Sequence, residues 1–152
     1  MINSHGTELE VFMKVKYTMT KKVEVATPLT SVKEAAQKMR DLNIGALPVC
    51  AHGKLIGMVT DRDITIRLIA DGKDLRTTMA EEIMTSNIEW CFDEDEIEEV
   101  AEKMEKGRIR RLPVVDRNKF LVGIISVGDI ASRGNPEAAG EILEQVAWRV
   151  LP

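Results

Sequence analysis

The chain has 152 residues, which is enough for one domain or for two small halves that share a core. Apolar residues make up 44% of it and charged residues 30%, and no apolar run approaches the roughly 18 residues of a membrane span, so we expect a globular protein and not a membrane protein. With 21 Lys and Arg against 25 Asp and Glu, the net charge of −4 disfavours a nucleic-acid partner and requires any anion site to be local.

The stretch 1–12 is treated as an N-terminal arm without assigned function. It lacks the basic start and the long apolar run of a secretory signal. Cys50 and Cys91 have neither a zinc-like nor a Cys-x-x-Cys spacing, so both thiols are expected to be reduced core residues. Together these features predict a cytoplasmic protein.

The segment 13–70 predicts a strand, a helix, a hairpin and a second helix. The first helix runs from about Ser31 to Leu42, because Ser31 with Glu34 three residues later resembles a capping box and apolar residues follow at helical spacing. A turn at Ala51-His52-Gly53 joins two β-rich runs, and a second helix starts at Asp61. The predicted strands are Val23–Ala26, Ile44–Val49 and Lys54–Val59.

A linker is predicted over 71–78, where the chain is polar and Gly72 ends the preceding helix. A short helix is expected at Met79–Met84, and the element order of the first segment then recurs over 79–133. The corresponding elements are predicted at Ile88–Cys91, Glu96–Lys106, Ile109–Val114, Phe120–Ile125 and Val127–Ser132.

The C-terminal segment 134–152 predicts an amphipathic helix. Asn135 is a helix cap followed by a proline at the first helical position. Apolar residues recur at helical spacing, namely Ala139, Ile142, Leu143, Val146 and Val150. This stripe covers either the protein's own core or a second copy of the chain, and the sequence leaves the two alternatives evenly open.

The two central segments are copies of one unit. A shift of 65 residues superposes Met19-Thr20 on Met84-Thr85 and Leu47-Pro48-Val49 on Leu112-Pro113-Val114, and a shift of 66 superposes the stretch 55–64 on 121–130. Fifteen of the 41 aligned positions are identical, where average composition predicts about two or three by chance. The single inserted residue is placed at a turn.

These observations predict an α+β fold of two tandem β-α-β-β-α repeats packed about a pseudo-twofold axis, with a C-terminal amphipathic helix. A repeat of roughly 60 residues buries too small a core to stand alone, so the two sheets are expected to pack against each other. Clefts then form along the seam between the repeats.

Each repeat carries a glycine, then a hydroxyl three residues later and a carboxylate three residues beyond, at a strand-to-helix junction. The first set is Gly57, Thr60 and Asp63, and the second is Gly123, Ser126 and Asp129. This spacing is typical of a capping box, in which the hydroxyl and the carboxylate satisfy the first amides of a helix. A helix N-terminus with a nearby carboxylate also suits a phosphate and a ribose diol, and both roles can coexist.

The motifs together resemble a tandem pair of cystathionine-β-synthase (CBS) domains, a Bateman module, over about residues 13–133. The resemblance is carried by the runs Ile-Gly-Ala-Leu-Pro-Val from Ile44, Leu-Ile-Gly-Met-Val-Thr-Asp-Arg-Asp-Ile from Leu55 and Arg-Arg-Leu-Pro-Val-Val-Asp from Arg110. It implies a stand-alone regulatory module that binds an adenosine-containing ligand, such as AMP, ADP, ATP or S-adenosylmethionine, in the clefts between its repeats. It also implies a homodimer and a regulated partner protein.

The resemblance assigns site residues by position. Asp63 and Asp129 match the ribose-binding aspartates, and Thr60 and Ser126 match hydroxyls that contact ribose or phosphate. The main chain around the adenine corresponds to Ile44, Ala46, Leu47, Pro48, Ile109, Arg111, Leu112 and Pro113. Thr20 and Thr85 are weaker matches near the cleft mouth. A base in a mostly apolar slot with few polar contacts is physically reasonable, although Leu47 is otherwise expected to be plain core.

Arginines make the two repeats different. Arg110 and Arg111 stand where the first copy has Gly45 and Ala46, and Arg62 is replaced by Gly128 in the second copy. Because a guanidinium matches a phosphate geometrically, these three arginines are candidates for charge compensation in one preferred cleft. The alternative for Arg110 and Arg111 is a solvated strand end. Arg67 and Arg133, four residues after the aspartates, are expected to form ordinary i,i+4 ion pairs.

No catalytic site, metal site or cofactor is predicted. The only histidines are His5 and His52, and Cys50 is too close to His52 in a turn to make a nucleophile and base. The acidic run 93–99 lacks the ligand spacing of a calcium loop and is typical of a helix start. A ligand sensor is therefore the favoured function, with a structural or interaction protein that has a vestigial cleft, or a small nucleotide-acting enzyme, as alternatives.

Overall fold

The computed structural model describes residues 13–147; the N-terminal arm and the C-terminal end of the predicted last helix lie outside them. The first repeat contains α1 (Val32–Leu42), β1 (Ala46–Ala51), β2 (Lys54–Thr60) and α2 (Asp61–Asp63), which continues as a π-helical segment (Ile64–Ile69). The rest contains α3 (Ala80–Ile83), β3 (Cys91–Phe92), α4 (Ile97–Gly107), β4 (Arg111–Val115), β5 (Leu121–Ser126), α5 (Val127–Arg133) and α6 (Pro136–Ala147). The predicted α+β class and the tandem repeats are confirmed.

The long helix of each repeat follows from its amphipathic pattern. In α1 the Ser31 hydroxyl accepts a hydrogen bond of 3.1 Å from the Glu34 amide, as expected for an N-cap. The helix buries Val32, Ala35 and Met39 against the sheet. It ends at Asn43, whose backbone is left-handed with φ of 52°, a conformation that asparagine tolerates well.

The strands form two small sheets. β1 and β2 pair as an antiparallel hairpin whose turn has positive φ at His52 and Gly53, as a type I′ turn requires. β4 pairs antiparallel with β5 and parallel with β3. The turn between β4 and β5 is longer, and the Asp116 carboxylate accepts hydrogen bonds from two amides inside it, those of Asn118 and Phe120. The inserted residue of the second copy lies in this turn.

The predicted strand at Val23–Ala26 is reduced to one bridge between Ala26 and Val49. The flanking backbone bonds to side chains instead: the Val25 carbonyl accepts from Lys38 Nζ at 3.1 Å, and the Thr27 amide donates to Thr30 Oγ1 at 2.9 Å. The second copy repeats this arrangement, since the Trp90 carbonyl accepts from Lys103 Nζ at 2.8 Å and leaves only Cys91–Phe92 as a strand. These contacts explain why the predicted first strands are shorter.

Each repeat completes the core of the other. The core of the second repeat includes Val15 and Met19, which lie at the start of the first repeat, before α1. The core of the first repeat includes Ala80 and Ile83, which belong to α3 after the linker. The two segments are thus exchanged between the repeats, which explains why neither repeat buries a sufficient core alone.

The exchanged segments pair with the neighbouring strands at equivalent places. Thr20 exchanges two backbone hydrogen bonds, of 2.8 and 3.0 Å, with Ile124 of β5, and Thr85 exchanges two of 2.9 Å with Met58 of β2. Gly57 and Gly123 allow this approach: a Cβ on Gly123 would lie 2.7 Å from the Thr20 carbonyl oxygen, and one on Gly57 would lie 2.8 Å from that of Thr85. The predicted pseudo-twofold relation is visible in these matched contacts.

Helix α6 packs on the second repeat. The Asn135 side chain accepts from the amides of residues 137 and 138, so the predicted cap is present. Ala139 and Ile142 are buried in the core of the second repeat, whereas Leu143 is half exposed. Within the described chain the apolar stripe therefore covers the protein's own core. Over residues 13–147, no helix has the length and apolar character needed to cross a membrane.

Candidate functional site

A cleft of about 660 Å³ lies on the seam between the repeats. This volume is within the usual range for a small-molecule site. The first repeat contributes Gly45, Ala46, Met58, Thr60, Asp61 and Arg62. The second contributes Thr85, Asn87, Ile88, Glu89, Gly107, Arg108, Ile109, Arg110, Arg111 and Pro113. A ligand here would contact both repeats at once.

The first helix turn beside the cleft is organised by a capping box. The Asp63 carboxylate accepts from the Thr60 amide at 2.9 Å, and the Asp63 amide donates to the Thr60 hydroxyl at 3.1 Å. Thr85, which arrives from the other repeat, donates its hydroxyl to Asp63 Oδ1 at 3.5 Å. Asp63 does not itself line the cleft, but both of its hydroxyl neighbours do.

Arg67 ties this corner to the second repeat. Its Nη1 lies 3.8 Å from Asp63 Oδ1, which is the predicted i,i+4 pair. The same nitrogen donates hydrogen bonds of 3.0 Å to the carbonyls of Ile83 and Met84, at the end of α3. The sequence predicted only the ion pair, whereas the two carbonyl contacts make Arg67 a link between the repeats.

The equivalent corner of the second repeat has the same capping geometry in different surroundings. The Asp129 carboxylate accepts from the Ser126 amide at 2.9 Å, and the Asp129 amide donates to the Ser126 hydroxyl at 3.1 Å. Arg133 is exposed and makes no ion pair with Asp129, so the i,i+4 prediction is wrong at this position. Within residues 13–147, Arg133 also has no side-chain hydrogen bond of the kind that Arg67 makes to the carbonyls at the end of α3.

The structure gathers about half of the predicted site residues into this cleft. Those that line it are Ala46, Thr60, Arg62, Thr85, Ile109, Arg110, Arg111 and Pro113. Those that do not line it are Thr20, Ile44, Leu47, Pro48, Asp63, Leu112, Ser126 and Asp129. The side chains of Leu47 and Leu112 are fully buried core, as the sequence allowed.

Several lining residues escaped the sequence analysis. Gly107 and Arg108 directly precede the predicted segment that starts at Ile109, and 87–89 begins two residues after Thr85. Met58 lies two residues before Thr60 on β2, which places both side chains on one face of the strand. These residues are found when each predicted segment is extended by two to four residues and when the alternation of side chains along a strand is applied to β2.

The cleft is rich in arginine. Arg62, Arg108, Arg110 and Arg111 line it, and all four are solvent-exposed. The acidic residues on its wall are Asp61 and Glu89. The positive excess is local, since the whole chain carries a net charge of −4. Such a surface suits an anionic ligand group.

The thiols are poorly suited to chemistry. Cys50 and Cys91 are both buried, and burial raises the pKa of both, that of Cys91 to about 12. A thiol is nucleophilic only as the thiolate, so neither is primed for attack. Across residues 13–147, no three His, Cys, Asp or Glu side chains group as a metal site would require.

The comparisons with known proteins agree with this architecture. The family model for the CBS domain matches residues 14–70 and again residues 80–134. The chain is 40% identical over 134 residues to the CBS domain-containing protein YhcV of Bacillus subtilis, covering 88% of this chain and 94% of that protein.

Two solved structures extend the likeness. The CBS domain pair of protein MJ0100, in complex with 5′-methylthioadenosine and S-adenosyl-L-methionine, matches with a TM-score of 0.72 and 34% identity, over 84% of this chain and 99% of that one. Hypoxic Response Protein I with two coordinated zinc ions matches with a TM-score of 0.72 and 37% identity, over 78% of this chain and 97% of that one. The duplicated sequence, the paired repeats and these matches show that the chain belongs to the CBS domain family, of which it carries a tandem pair.

Proposed function

We propose that this protein is a non-catalytic regulatory module that binds an adenosine-containing ligand in the cleft between its repeats. The observation that carries the proposal is a cleft built from both repeats, in which the Thr60–Asp63 capping box meets Thr85 of the other repeat. The MJ0100 pair, a relative of the same fold, is bound to two adenosine compounds, which supports the ligand class.

The proposed mechanism depends on differential affinity. A ligand that contacts Thr60 on one repeat and Thr85 on the other favours the arrangement of the repeats that best fits it. The change is passed on to a partner protein or to a second copy through the surface that moves. The binding energy of the ligand drives this change, and no covalent step is needed. The two thiols, which are buried and have a raised pKa, are in keeping with such a mechanism.

Thermal unfolding tests the proposal. The melting midpoint of the full chain is measured with millimolar adenosine, AMP, ADP, ATP or S-adenosylmethionine, with guanosine and GTP as matched controls. A ligand that binds only the folded state stabilises it by about 2.7 kcal/mol at a concentration 100 times its Kd. We expect at least one adenosine compound to raise the midpoint and the guanine compounds to raise it less.

The alternatives predict other outcomes. A structural or interaction protein with a vestigial cleft shows no rise with any compound, and that result would overturn the proposal. A nucleotide-acting enzyme converts the ligand, so the same samples are analysed by chromatography after incubation, and we expect the ligand to be recovered intact.

We also propose that the protein is a homodimer in the cytoplasm, with an interface at the π-helical segment. Ile69 is 68% exposed, Ile66 43% and Leu75 47%, so apolar side chains face outward on this side of the first repeat. Sedimentation equilibrium is expected to show a dimer for the native chain and a monomer for Ile69→Glu. Tyr17→Glu, at an exposed position on the segment that packs on the second repeat, is the control and should remain a dimer. A native chain that sediments as a monomer would contradict this proposal.

A further inference from the structure

The cleft wall carries more positive than negative side chains, and its arginines form no ion pairs with other described residues. Four guanidinium groups line it, those of Arg62, Arg108, Arg110 and Arg111. Among the described residues, none of the four lies within 4.0 Å of a carboxylate oxygen, whereas Arg40, Arg67 and Arg76 each do. Asp61 and Glu89 on the same wall offset part of this charge, and the positive excess that remains is an arrangement that an anion would relieve.

Arg108 is placed on this wall by an unfavourable backbone. It terminates α4 with φ of 51° and ψ of 45°, in the left-handed region. Its counterpart at the end of α1 is Asn43, with nearly the same angles. Asparagine adopts this conformation readily and arginine does not, so the sequence departs from the usual choice at one of two equivalent positions. A local departure of this kind is typical of a functional position.

The positive charge is a property of this cleft and not of the duplicated unit. The positions equivalent to the four arginines are Gly128, Asn43, Gly45 and Ala46. None of them carries a charge. Each arginine is therefore present in only one of the two repeats. The duplication of the unit does not explain why the four arginines lie on one wall.

We infer that the cleft selects adenine nucleotides with a chain of two or three phosphates, and that Arg108 determines this selectivity. The inference rests on the proposed adenosine-binding function and narrows it. Each further phosphate adds negative charge and acceptor oxygens that match guanidinium groups. S-adenosylmethionine instead carries a cationic sulfonium, which the same wall repels, although it is one of the compounds bound by the MJ0100 pair.

The test is a calorimetric titration of the full chain with adenosine, AMP, ADP, ATP and S-adenosylmethionine at low and at raised salt. We expect ADP and ATP to bind at least about tenfold more tightly than AMP or S-adenosylmethionine, and added salt to reduce that advantage. Arg108→Asn is expected to remove most of the advantage of ATP while leaving adenosine binding within about twofold. It should also raise the melting midpoint, because asparagine suits the left-handed backbone.

Arg117→Asn is the matched control, since Arg117 is exposed in the β4–β5 turn and does not line the cleft. It should leave every affinity unchanged. If AMP or S-adenosylmethionine binds as tightly as ATP, or if Arg108→Asn leaves the affinity for ATP intact, the inference is wrong while the proposed function stands. If no adenosine compound binds, the proposed function fails and the inference fails with it.

Discussion

Asp63 and Asp129 occupy the same position in the two repeats and have the same capping geometry, yet their neighbours differ. Asp63 is only 12% exposed and also contacts Thr85 and Arg67, both linked to the other repeat. Asp129 bonds to the amide and hydroxyl of Ser126. Both aspartates thus cap a helix, but only Asp63 lies beside the described cleft.

Alanine at either aspartate separates the two roles. Asp63→Ala and Asp129→Ala each remove the acceptor for an N-cap amide, so each should lower the free energy of unfolding by about 1 kcal/mol. Only Asp63→Ala is expected to weaken ligand binding strongly, because its partners Thr60 and Thr85 line the cleft. Urea unfolding measures the first effect and calorimetric titration the second. Equal losses of binding in the two variants would contradict this assignment.

Glu94 makes stability depend on pH. Its carboxylate accepts hydrogen bonds of 2.6 Å from Lys14 and 2.7 Å from Lys16, and these bonds lower its pKa from the usual 4.5 to about 2. A lowered pKa in the folded state means that the contribution is complete above about pH 4.5 and is lost as the pH falls toward 2.

The prediction is a pH-dependent difference between two proteins. At pH 7 the melting midpoint of Glu94→Gln should lie below that of the native chain, and the gap should shrink as the pH falls from about 4.5 to 2. Salt should also reduce the gap, because both lysines and Glu94 are partly exposed. Thermal unfolding at several pH values measures it. A gap that stays constant with pH would show that the ion pairs are not the cause.

At the level of elements, the sequence predicted the helices better than the first strands. α1 and α4 follow from apolar periodicity and cap residues, which are local signals, and the structure places both within a residue or so of the prediction. The strand predicted at Val23–Ala26 depends instead on partners distant in the chain, and Lys38 and Thr30 take up its flanking backbone groups. Apolar alternation alone does not record such competition.

The candidate site was predicted only in part, because local motifs identify some of its residues and contacts distant in the chain bring in the others. Thr60 and Arg62 were found because they belong to a repeated motif, and Arg108 was missed because no motif marks a helix C-cap as a site. The additional role of Arg67 also escaped prediction, since its carbonyl partners lie 16 and 17 residues away. The spacing of residues within one helix predicts the ion pair but does not predict contacts with another element.

Arg67 gives a prediction about the junction between elements. Arg67→Met removes two hydrogen bonds from the end of α3, so it should lower the free energy of unfolding by about 1 kcal/mol and weaken ligand binding by displacing Thr85. Arg133→Met is the matched control, because Arg133 holds the equivalent position without an ion pair to Asp129. Urea unfolding of both variants measures the difference. Equal effects would mean that the link to α3 is unimportant.

For the whole molecule, the seam is the critical feature. The sequence predicted that the repeats pack together and leave a cleft, because each is too small alone. It did not predict the exchange of Val15 and Met19 for Ala80 and Ile83, since an apolar pattern identifies residues to be buried and not the core that receives them. Only the folded chain resolves that choice.

A glycine pair tests the seam. Gly123→Ala would place a Cβ 2.7 Å from the Thr20 carbonyl oxygen, so backbone must move and the free energy of unfolding should fall by about 1–3 kcal/mol. Gly140→Ala, in α6, meets nothing within 4 Å and should stabilise the protein by about 0.5–1 kcal/mol. Urea unfolding compares the two. A neutral Gly123→Ala would show that the repeats are not closely fitted at this point.

The exchanged segments also explain what the linker 71–78 does. A chain with only one repeat would lack the exchanged segment that completes its core. Two such chains would have to exchange these segments with each other, as in a domain-swapped dimer. Joining the halves end to end turns that encounter into an intramolecular one with a high effective concentration. The architecture of the cleft is therefore independent of how dilute the protein becomes.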